Sequence, residues 1–309
     1  MTDPVDPAPA TSVGPAVLPS LVAPRRRIGR REFDFDRQVA VMAIVNRTPD
    51  SFYDEGRDFA LDRAVAAALR AVEQGADWVD VGGVPFSPDT PEVSAAEELA
   101  RVLPVVEQVA AASDVVISVD TTSAEVAERC LAAGAAVVND TSGLYDPRMA
   151  EVVASSGATL VVTHSLAAPH RHLPRPHYDD VAAEVAARLA DRVAVALAAG
   201  ITPDQLIIDP GHDLNKNTRH TLELTRRLAE VAELGHPVLA AISRKDFVGE
   251  TLGRAKPDRL AGSLAATTWA LCAGARIIRV HDVAESVDTV RMFEAILGWR
   301  DPVELRHNM

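Results

Sequence analysis

The chain is short of cysteine, of long apolar runs and of positive charge, and each shortage excludes a class of protein. Only two of the 309 residues are cysteines, Cys130 and Cys272, so a small disulfide-stabilised domain is excluded. No apolar run approaches the 18 residues or so of a membrane span, so we expect no membrane insertion. The start carries Asp3 and Asp6 and no apolar core, which argues against a secretory signal and favours a cytoplasmic protein.

The charge balance is acidic. Thirty-one basic residues face 44 acidic ones, which gives a formal net charge of −13 and makes a nucleic-acid partner unexpected. An anionic ligand would therefore have to be held by a local group of cations against the average field. Hydrophobic residues make up 48% and charged residues 24%, a composition typical of a globular protein rather than of a disordered chain or a coiled coil.

The amino-terminal part differs from the rest. Residues 1–24 hold six of the 20 prolines, and we predict a disordered tail over 1–36, followed by one folded domain over 37–309. Five arginines lie near the end of this tail: Arg25, Arg26, Arg27, Arg30 and Arg31. We interpret them as a solvated segment, with an arm that binds nucleic acid or a protein partner as the alternative.

Beyond residue 38, short apolar runs rich in β-branched residues alternate with helical patterns. The eight predicted strands are Val39–Val45, Trp78–Val81, Val115–Val119, Ala136–Val138, Thr159–Thr163, Leu206–Ile208, Val238–Ile242 and Arg276–Val280. The clearest helix follows Asp179 and Asp180, either of which could cap it, and ends before Gly200. Its apolar stripe consists of Val181, Val185, Leu189, Val193 and Leu197.

Eight strand–helix units in about 250 residues predict an α/β fold of the (β/α)8 TIM-barrel type. Six glycines stand between a helix and the next strand, where a left-handed residue ends the helix: Gly75, Gly134, Gly157, Gly200, Gly235 and Gly274. An open, doubly wound sheet is the alternative. The dinucleotide-binding version of that sheet is disfavoured because no G-x-G-x-x-G follows the first strand.

Polar residues follow most of the strands, at the face where such barrels carry their active sites. Asp120, Asn139 and Asp209 could hydrogen-bond the edge of a flat heterocycle. A group of cations follows the last two strands and suits an anionic ligand: Arg244, Lys245 and Arg279, with His281 beside them. Asn46 offers a carbonyl oxygen of the kind that Mg²⁺ accepts.

These segments together resemble the dihydropteroate synthase family. The matching segments are Val41–Phe52, Asp80–Gly83, Ile117–Thr121, Val138–Asp140, Asp209–Gly211, Ser243–Lys245 and Ile278–Val283. They keep the family's order and span roughly residues 39–297. No single segment is specific, but their combination is.

The resemblance implies a reaction and a set of site residues. The family joins p-aminobenzoate to a dihydropterin that carries a hydroxymethyl diphosphate, and diphosphate leaves. By position, Asp120, Asn139, Asp209 and Lys245 match the pterin-binding groups. Arg279 and His281 match the diphosphate anchors, with Lys245 and Arg279 implied as catalytic, and Asn46 matches the ligand of a Mg²⁺ cofactor. A homodimer formed through residues 259–273 is also implied.

Three departures from the family pattern are concentrated in the loops that shape the acceptor side. Val84–Asp89 replaces a Glu-Ser-Thr-Arg-Pro-Gly type loop and puts Ser87 where the arginine is expected. His212–Lys216 keeps the lysine of a Phe-Gly-Phe-Gly-Lys type loop but loses its aromatics and glycines. Asp246 stands where a small hydroxyl residue is usual. A divergent pterin-binding paralogue with weak or no synthase activity is therefore the main alternative.

Two further alternatives use the same predicted fold. One is a pterin-dependent methyl transferase, which would use Asp120, Asn139 and Asp209 but would not need the cations Lys245 and Arg279. The other is an unrelated barrel that binds phosphate.

Overall fold

Eight parallel strands close into a barrel, as predicted. The structure, a computed structural model, describes residues 18–47, 57–85, 92–169, 171 and 173–307, and only the backbone of 57–60. The barrel strands are β3 (Ala40–Asn46), β4 (Trp78–Gly82), β5 (Val116–Asp120), β6 (Val137–Asp140), β7 (Thr159–Thr163), β8 (Leu206–Asp209), β9 (Val238–Ala240) and β10 (Ala275–Val280). They follow one another in sequence order around the barrel, and β10 closes it on β3.

Helices connect the strands. They are α1 (Arg57–Glu73), α2 (Ala95–Ala112), α3 (Ala124–Ala132), α4 (Met149–Ser156), α5 (Val181–Ala198), α6 (Thr218–Arg226), α7 (Leu228–Ala232), α8 (Asp246–Leu252), α9 (Leu260–Cys272) and α10 (Val283–Ile296). None of the helices in the described ranges is both long and apolar enough to cross a bilayer. As predicted, glycine ends several of them; Gly157, with φ 71°, closes α4.

The alternation of side chains along each strand builds two cores. One set of apolar residues, including Val79 and Val81, packs outward against the helices. The other set, including Trp78 and Val116, fills the amino-terminal end of the barrel interior. Polar inward-facing residues lie above this apolar layer, and Asp80 is level with Ser118 on the neighbouring strand. The interior is thus apolar at its base and polar toward the carboxyl ends of the strands.

Helix α5 tests the periodicity argument. Asp180 caps it by accepting a hydrogen bond of 3.1 Å from the Ala183 amide, and Val193 is buried as predicted. Leu197 is instead 40% exposed, and Ala196 is buried in its place. Four residues turn about 40° more than one full helical turn. Residues spaced strictly by four therefore drift around the helix, and the fifth of them no longer lies on the buried face.

The predicted boundary of the disordered tail at residue 36 is wrong for residues 18–36. Strands β1 (Arg25–Ile28) and β2 (Arg31–Asp34) form an antiparallel hairpin. Ile28, Phe33 and Phe35 are at most 2% exposed and join the apolar core inside the barrel, where Phe33 meets the Trp78 ring edge-on at 5.7 Å. The hairpin covers the amino-terminal end of the barrel because the apolar interior would otherwise face water. Residues 1–17 lie outside the described part.

Two of the five arginines differ from the predicted solvated segment, whereas Arg25, Arg27 and Arg30 are exposed as predicted. Arg26 is buried and donates to the carbonyls of Leu206, at 2.9 Å, and Ala23, at 3.0 Å. Arg31 binds both the carbonyl and the carboxylate of Asp77. Burial lowers the pKa of Arg26 to about 10.

Replacing Arg26 with alanine should lower the free energy of unfolding by about 1–3 kcal/mol, because the carbonyls of Leu206 and Ala23 lose their donor. Arg30→Ala is the matched control, since Arg30 pairs with Asp114 where both side chains are about three-quarters exposed. That change should cost less than about 1 kcal/mol. Urea unfolding followed by circular dichroism measures both, and equal costs would contradict a structural role for Arg26.

Candidate active site

A buried carboxylate organises the polar end of the barrel. Asp80 on β4 is fully buried and accepts hydrogen bonds from Ser118 Oγ at 2.6 Å and Asn139 Nδ2 at 3.0 Å. It also accepts from Arg279 Nε at 2.6 Å. Side chains from β4, β5, β6 and β10 therefore converge on one carboxylate inside the barrel.

Arg279 links this buried layer to the mouth of the barrel. Its Nη2 donates to Asp120 Oδ2 at 2.8 Å, and the Arg279 and Asp120 side chains are 17% and 22% exposed. Two carboxylates thus share one guanidinium. Burial raises the pKa of Asp120 to about 7; Arg279 opposes that shift, whereas Asp80 and Glu98 add to it.

Two further groups offer hydrogen-bond acceptors at the same level. Asn139 is buried, and its Oδ1 has no hydrogen-bond partner within the described ranges. Asp209 on β8 is buried, and its Oδ1 accepts a bond of 2.7 Å from the Gly211 amide. Burial raises the pKa of Asp209, and the positive charge of Lys245 opposes that rise. An open buried acceptor of this kind is costly unless a ligand or water satisfies it.

Lys245 and His281 follow the last two barrel strands at the mouth. Lys245 stands just before α8 and donates to the His212 carbonyl. Burial lowers its pKa, while Asp209 and Asp213 act in the opposite direction. His281 is exposed, and its Nδ1 lies 3.2 Å from Ser243 Oγ. Desolvation and the charge of Arg279 lower the pKa of His281 to about 4, so the ring is neutral at pH 7.

The predicted site residues therefore lie at one end of the barrel. Asp120, Asn139, Asp209 and Arg279 project from β5, β6, β8 and β10, and Lys245 follows β9. Asn46 is the last residue of β3 and is exposed. Its side-chain oxygen lies close to Gly82 on the neighbouring strand, where a β-carbon in place of the glycine hydrogen would contact it at 3.2 Å. Arg244 differs from the prediction. It was expected to bind an anionic ligand with Lys245 and Arg279, but it forms an ion pair with Asp282.

Predicted features also fall outside the described residues. They are the remainder of the first motif, Thr48–Phe52, and the residues Phe86–Asp89 of the altered loop after β4.

The loop after β8 keeps a left-handed backbone although its glycines are absent. Asp213 and Asn215, at the two positions where glycine was expected, have φ of 63° and 50°. Asn215 Oδ1 accepts from Ser165 Oγ and from the Leu166 amide, both at 2.9 Å. Asp213 accepts from Thr221 Oγ1 at 3.0 Å and from the Phe247 amide at 3.2 Å. These side chains tie the loop to those after β7 and β9.

A buried lysine, Lys216, binds backbone carbonyls of the same loop. Lys216 Nζ donates to the carbonyls of Gly211, at 2.9 Å, and Leu214, at 3.1 Å, and lies 3.0 Å from His164 Nδ1. Burial lowers the pKa of Lys216 to about 7. Next to it, His212 is fully buried and its pKa is well below the usual range because of burial.

The prediction missed Asp80 as a site residue, although its segment was noted. The predicted site residues lie at or beside the last residue of each strand, and Asp80 lies two positions before the end of β4. The alternation of side chains was the available signal, since an inward-facing Gly82 places Asp80 inward as well. Lys216 was noted as retained, but no sequence signal indicated its partners.

The Asp120 carboxyl predicts a pH dependence of stability. Its pKa is raised from about 4 in the unfolded chain to about 7 in the folded protein, so its protonated form favours folding. This contribution is full below about pH 4 and is lost as the pH rises toward 7. Asp120→Asn should therefore be more stable than wild type at pH 8 by at least about 1 kcal/mol, and close to it at pH 4.

Urea unfolding of both proteins between pH 4 and pH 8 measures this difference. Asp114→Asn, at a carboxylate that is 75% exposed, is the control and should give a flat difference. A flat difference for Asp120→Asn as well would contradict the raised pKa.

Comparisons with known proteins agree with this geometry. A family model described as "Pterin binding enzyme" matches residues 42–281. "Inactive dihydropteroate synthase 2" of Mycobacterium leprae is 47% identical over 277 residues, covering 86% of this chain and 93% of that protein. "Dihydropteroate synthase" of Escherichia coli K12 is 41% identical over 261 residues, covering 84% of this chain and 93% of that protein.

The fold is similar to solved structures as well. The dihydropteroate synthase of Xanthomonas albilineans, solved with 4-aminobenzoic acid, superposes with a TM-score of 0.83 at 42% identity. The match covers 88% of this chain and 98% of that one. The chain therefore belongs to the family of pterin-binding enzymes, and its relatives there include dihydropteroate synthases and proteins named as inactive forms of them.

Proposed function

We propose that this protein binds a 6-hydroxymethyl-7,8-dihydropterin diphosphate at the mouth of the barrel and condenses it with p-aminobenzoate, as a dihydropteroate synthase does. The observation that carries the proposal is the convergence of Asp120, Asn139, Asp209 and Arg279 at one end of the barrel, with Lys245 beside Asp209. A flat ring with several N–H donors matches these acceptors.

The ring would be held by groups on strands. Asn139 Oδ1 is buried and open, and Asp209 keeps one oxygen beyond the atom that accepts from Gly211. Since strands are the most rigid part of the barrel, these acceptors are already in place before a ligand arrives. Asp120 adds a third acceptor, nearer to the surface.

The diphosphate would face the cations. Lys245 and Arg279 carry positive charge at the mouth, and a bound anion would raise the pKa of His281 from about 4 toward protonation. In the proposed reaction the arylamine nitrogen bonds to the pterin methylene carbon and then loses a proton. The bond from that carbon to oxygen breaks, and diphosphate leaves with the electron pair. Lys245 and Arg279 would stabilise the charge on the leaving group.

Asn46 fits a magnesium ion that a diphosphate would help to bind. Its amide oxygen is exposed at the rim, within reach of the space above Gly82 and Asp120. Within the described ranges, no three His, Cys, Asp or Glu side chains are grouped to hold a metal. Mg²⁺ commonly takes one or two protein oxygens, phosphate oxygens and several waters, so one side chain is compatible with such a site. When bound, the ion would neutralise part of the diphosphate charge.

Purified protein incubated with pterin diphosphate, p-aminobenzoate and Mg²⁺ tests the proposal. Diphosphate release should require p-aminobenzoate, and dihydropteroate should form in equal amount. Release no faster than in the absence of protein would overturn the synthase assignment. Calorimetry with pterin diphosphate alone, run in parallel, shows whether binding survives without turnover.

A second candidate is a pterin-binding paralogue with weak or no synthase activity. Two carboxylates flank the start of α8: Asp213 accepts from the Phe247 amide, and Asp246 pairs with Arg259 at 2.8 Å. An anionic acceptor that approached this end of α8 would be repelled by them. The relative from Mycobacterium leprae that is 47% identical carries "inactive" in its name.

Restoring the family residues distinguishes the two candidates. If the second is correct, wild type binds pterin diphosphate without forming product, and Ser87→Arg combined with Asp246→Ser gains synthase activity. Asp288→Ser, at an exposed position on α10, is the control for removing a surface charge. No gain in the double variant would place the loss outside these two loops, whereas formation of dihydropteroate by wild type would contradict this candidate.

The assembly state and the location are part of the proposal. Trp269 on α9 is 53% exposed, and Ala261 and Ala265 on the same helix are exposed as well, an apolar face suited to a homodimer. Light scattering should give twice the chain mass of 32.9 kDa, and Trp269→Asp should halve it.

Cys130 and Cys272 are free thiols, which supports a cytoplasmic location.

A further inference from the structure

A forked ion pair joins the loops that follow β9 and β10. Arg244 Nε donates to Asp282 Oδ2 at 2.8 Å, and Nη2 donates to Oδ1 at 2.6 Å. The two side chains are 21% and 16% exposed, so water screens the pair only in part. A bidentate guanidinium–carboxylate pair fixes orientation as well as distance.

Nη1 and the backbone amide of Arg244 are also bound within the protein. Its Nη1 donates to the carbonyls of Lys256, at 3.0 Å, and Pro257, at 2.8 Å, and its amide donates to Ser263 Oγ at 2.9 Å. The backbone of Arg244 has φ of 56°, in the left-handed region that non-glycine residues rarely adopt. The fold therefore retains an unfavourable backbone conformation that directs this side chain into the loops and away from the ligand site.

The ion pair lies between two groups that face the mouth. Lys245 directly follows Arg244, and His281 directly precedes Asp282. Ser243 connects the same two loops, because its Oγ accepts from the His281 amide at 3.2 Å and lies 3.2 Å from His281 Nδ1. A change in the separation of Arg244 and Asp282 would move Lys245 and His281 relative to each other.

We propose that Arg244 and Asp282 are positioning residues that set the spacing of Lys245 and His281 for the diphosphate of the ligand. The inference rests on the proposed function, since it requires a ligand with an anionic tail at this mouth. Because Arg244 and Asp282 bind each other and Arg244 binds two loop carbonyls, we assign them an indirect effect through Lys245 and His281, which would face the diphosphate and not the ring. Asp120, Asn139 and Asp209 lie on strands, and the loops after β9 and β10 do not determine their positions.

Calorimetry with two ligands separates the two parts of the site. The ligands are 6-hydroxymethylpterin, which has the ring alone, and its diphosphate. We call the affinity for the diphosphate divided by the affinity for 6-hydroxymethylpterin the tail ratio. In wild type, this ratio measures the contribution of the diphosphate to binding. Arg244→Lys keeps the charge but loses the fork, and Asp282→Asn loses the charge but keeps the shape. Each should reduce the tail ratio about tenfold or more and change the affinity for 6-hydroxymethylpterin by less than about threefold.

A rescue and a matched control complete the experiment. Exchanging the partners, Arg244→Asp with Asp282→Arg, should recover part of the tail ratio, because the ion pair can form again. Arg227→Lys also removes a forked pair, that with Glu230 at 2.7 and 2.8 Å, but near α6 and α7. It should leave both affinities unchanged.

The outcomes separate the inference from the function on which it rests. If wild type binds neither ligand, the proposed function fails and the inference fails with it. If wild type shows a tail contribution that Arg244→Lys and Asp282→Asn retain, the positioning role alone is wrong. If the variants lose affinity for the ring and the diphosphate equally, the pair is merely structural, which also overturns the inference.

Discussion

Asp80→Ala is expected to lower the free energy of unfolding by about 3–5 kcal/mol, a large effect for one residue. The carboxylate is fully buried and accepts hydrogen bonds from Ser118, Asn139 and Arg279. Alanine would leave the donors of Ser118, Asn139 and Arg279 without this acceptor, and Arg279 would lose one of the two carboxylates that its guanidinium binds. The cost is mainly that of unpaired buried groups, because an intact buried pair contributes little net stability.

Urea unfolding at pH 7.5 measures the change, with the slope on denaturant checked for constancy. Asp80→Asn keeps an acceptor oxygen but removes the charge, so it should fall between wild type and Asp80→Ala. Asp114→Ala removes a carboxylate whose side chain is 75% exposed and should cost less than about 1 kcal/mol. A cost for Asp80→Ala that matches this control would show that the buried cluster does not act as a unit.

The sequence predicted the barrel because its signals repeat. Each unit has an apolar run and a helical pattern, and six glycines separate a helix from the next strand, so the repetition corrects the uncertainty in any one unit. All eight predicted strands are present, with ends that differ by at most two residues. Asp120, Asn139 and Asp209 could be predicted because the carboxyl end of every barrel strand lies at the mouth. Their location follows from the strand pattern alone, without knowledge of their side-chain contacts. Their roles toward a ligand stay predictions.

The hairpin and the loop after β8 could not be predicted in the same way. Arg26 is buried with its Nη1 donating a hydrogen bond to the carbonyl of Leu206, 180 residues away in the sequence. Local composition marks such a segment as solvated, since charged residues are mostly exposed. The partners of Lys216 likewise depend on left-handed backbone at Asp213 and Asn215, which no periodic pattern indicates.

The three lysines of the chain should differ sharply in their effect on ligand binding. Lys245→Met is expected to weaken the binding of pterin diphosphate about 100-fold, close to 3 kcal/mol, because a charge-assisted bond to the diphosphate is lost in a desolvated site. Lys256→Met is the comparison, since the Lys256 side chain is exposed and acts on His281 only through its charge. It should change the affinity by less than about threefold.

Lys216→Met distinguishes a role in ligand binding from a role in stabilising the loop after β8. The Lys216 side-chain nitrogen donates to two carbonyls and lies beside His164, so its loss should lower stability more than it lowers affinity per folded molecule. Lys245 has one such carbonyl partner in the described ranges, that of His212, and its charge is available to a ligand. Calorimetry at pH 7.5 and urea unfolding of all three variants give both quantities. Similar affinities for the Lys245 and Lys256 variants would mean that the mouth does not bind the diphosphate through Lys245, and the proposed placement of the ligand's tail would have to be abandoned.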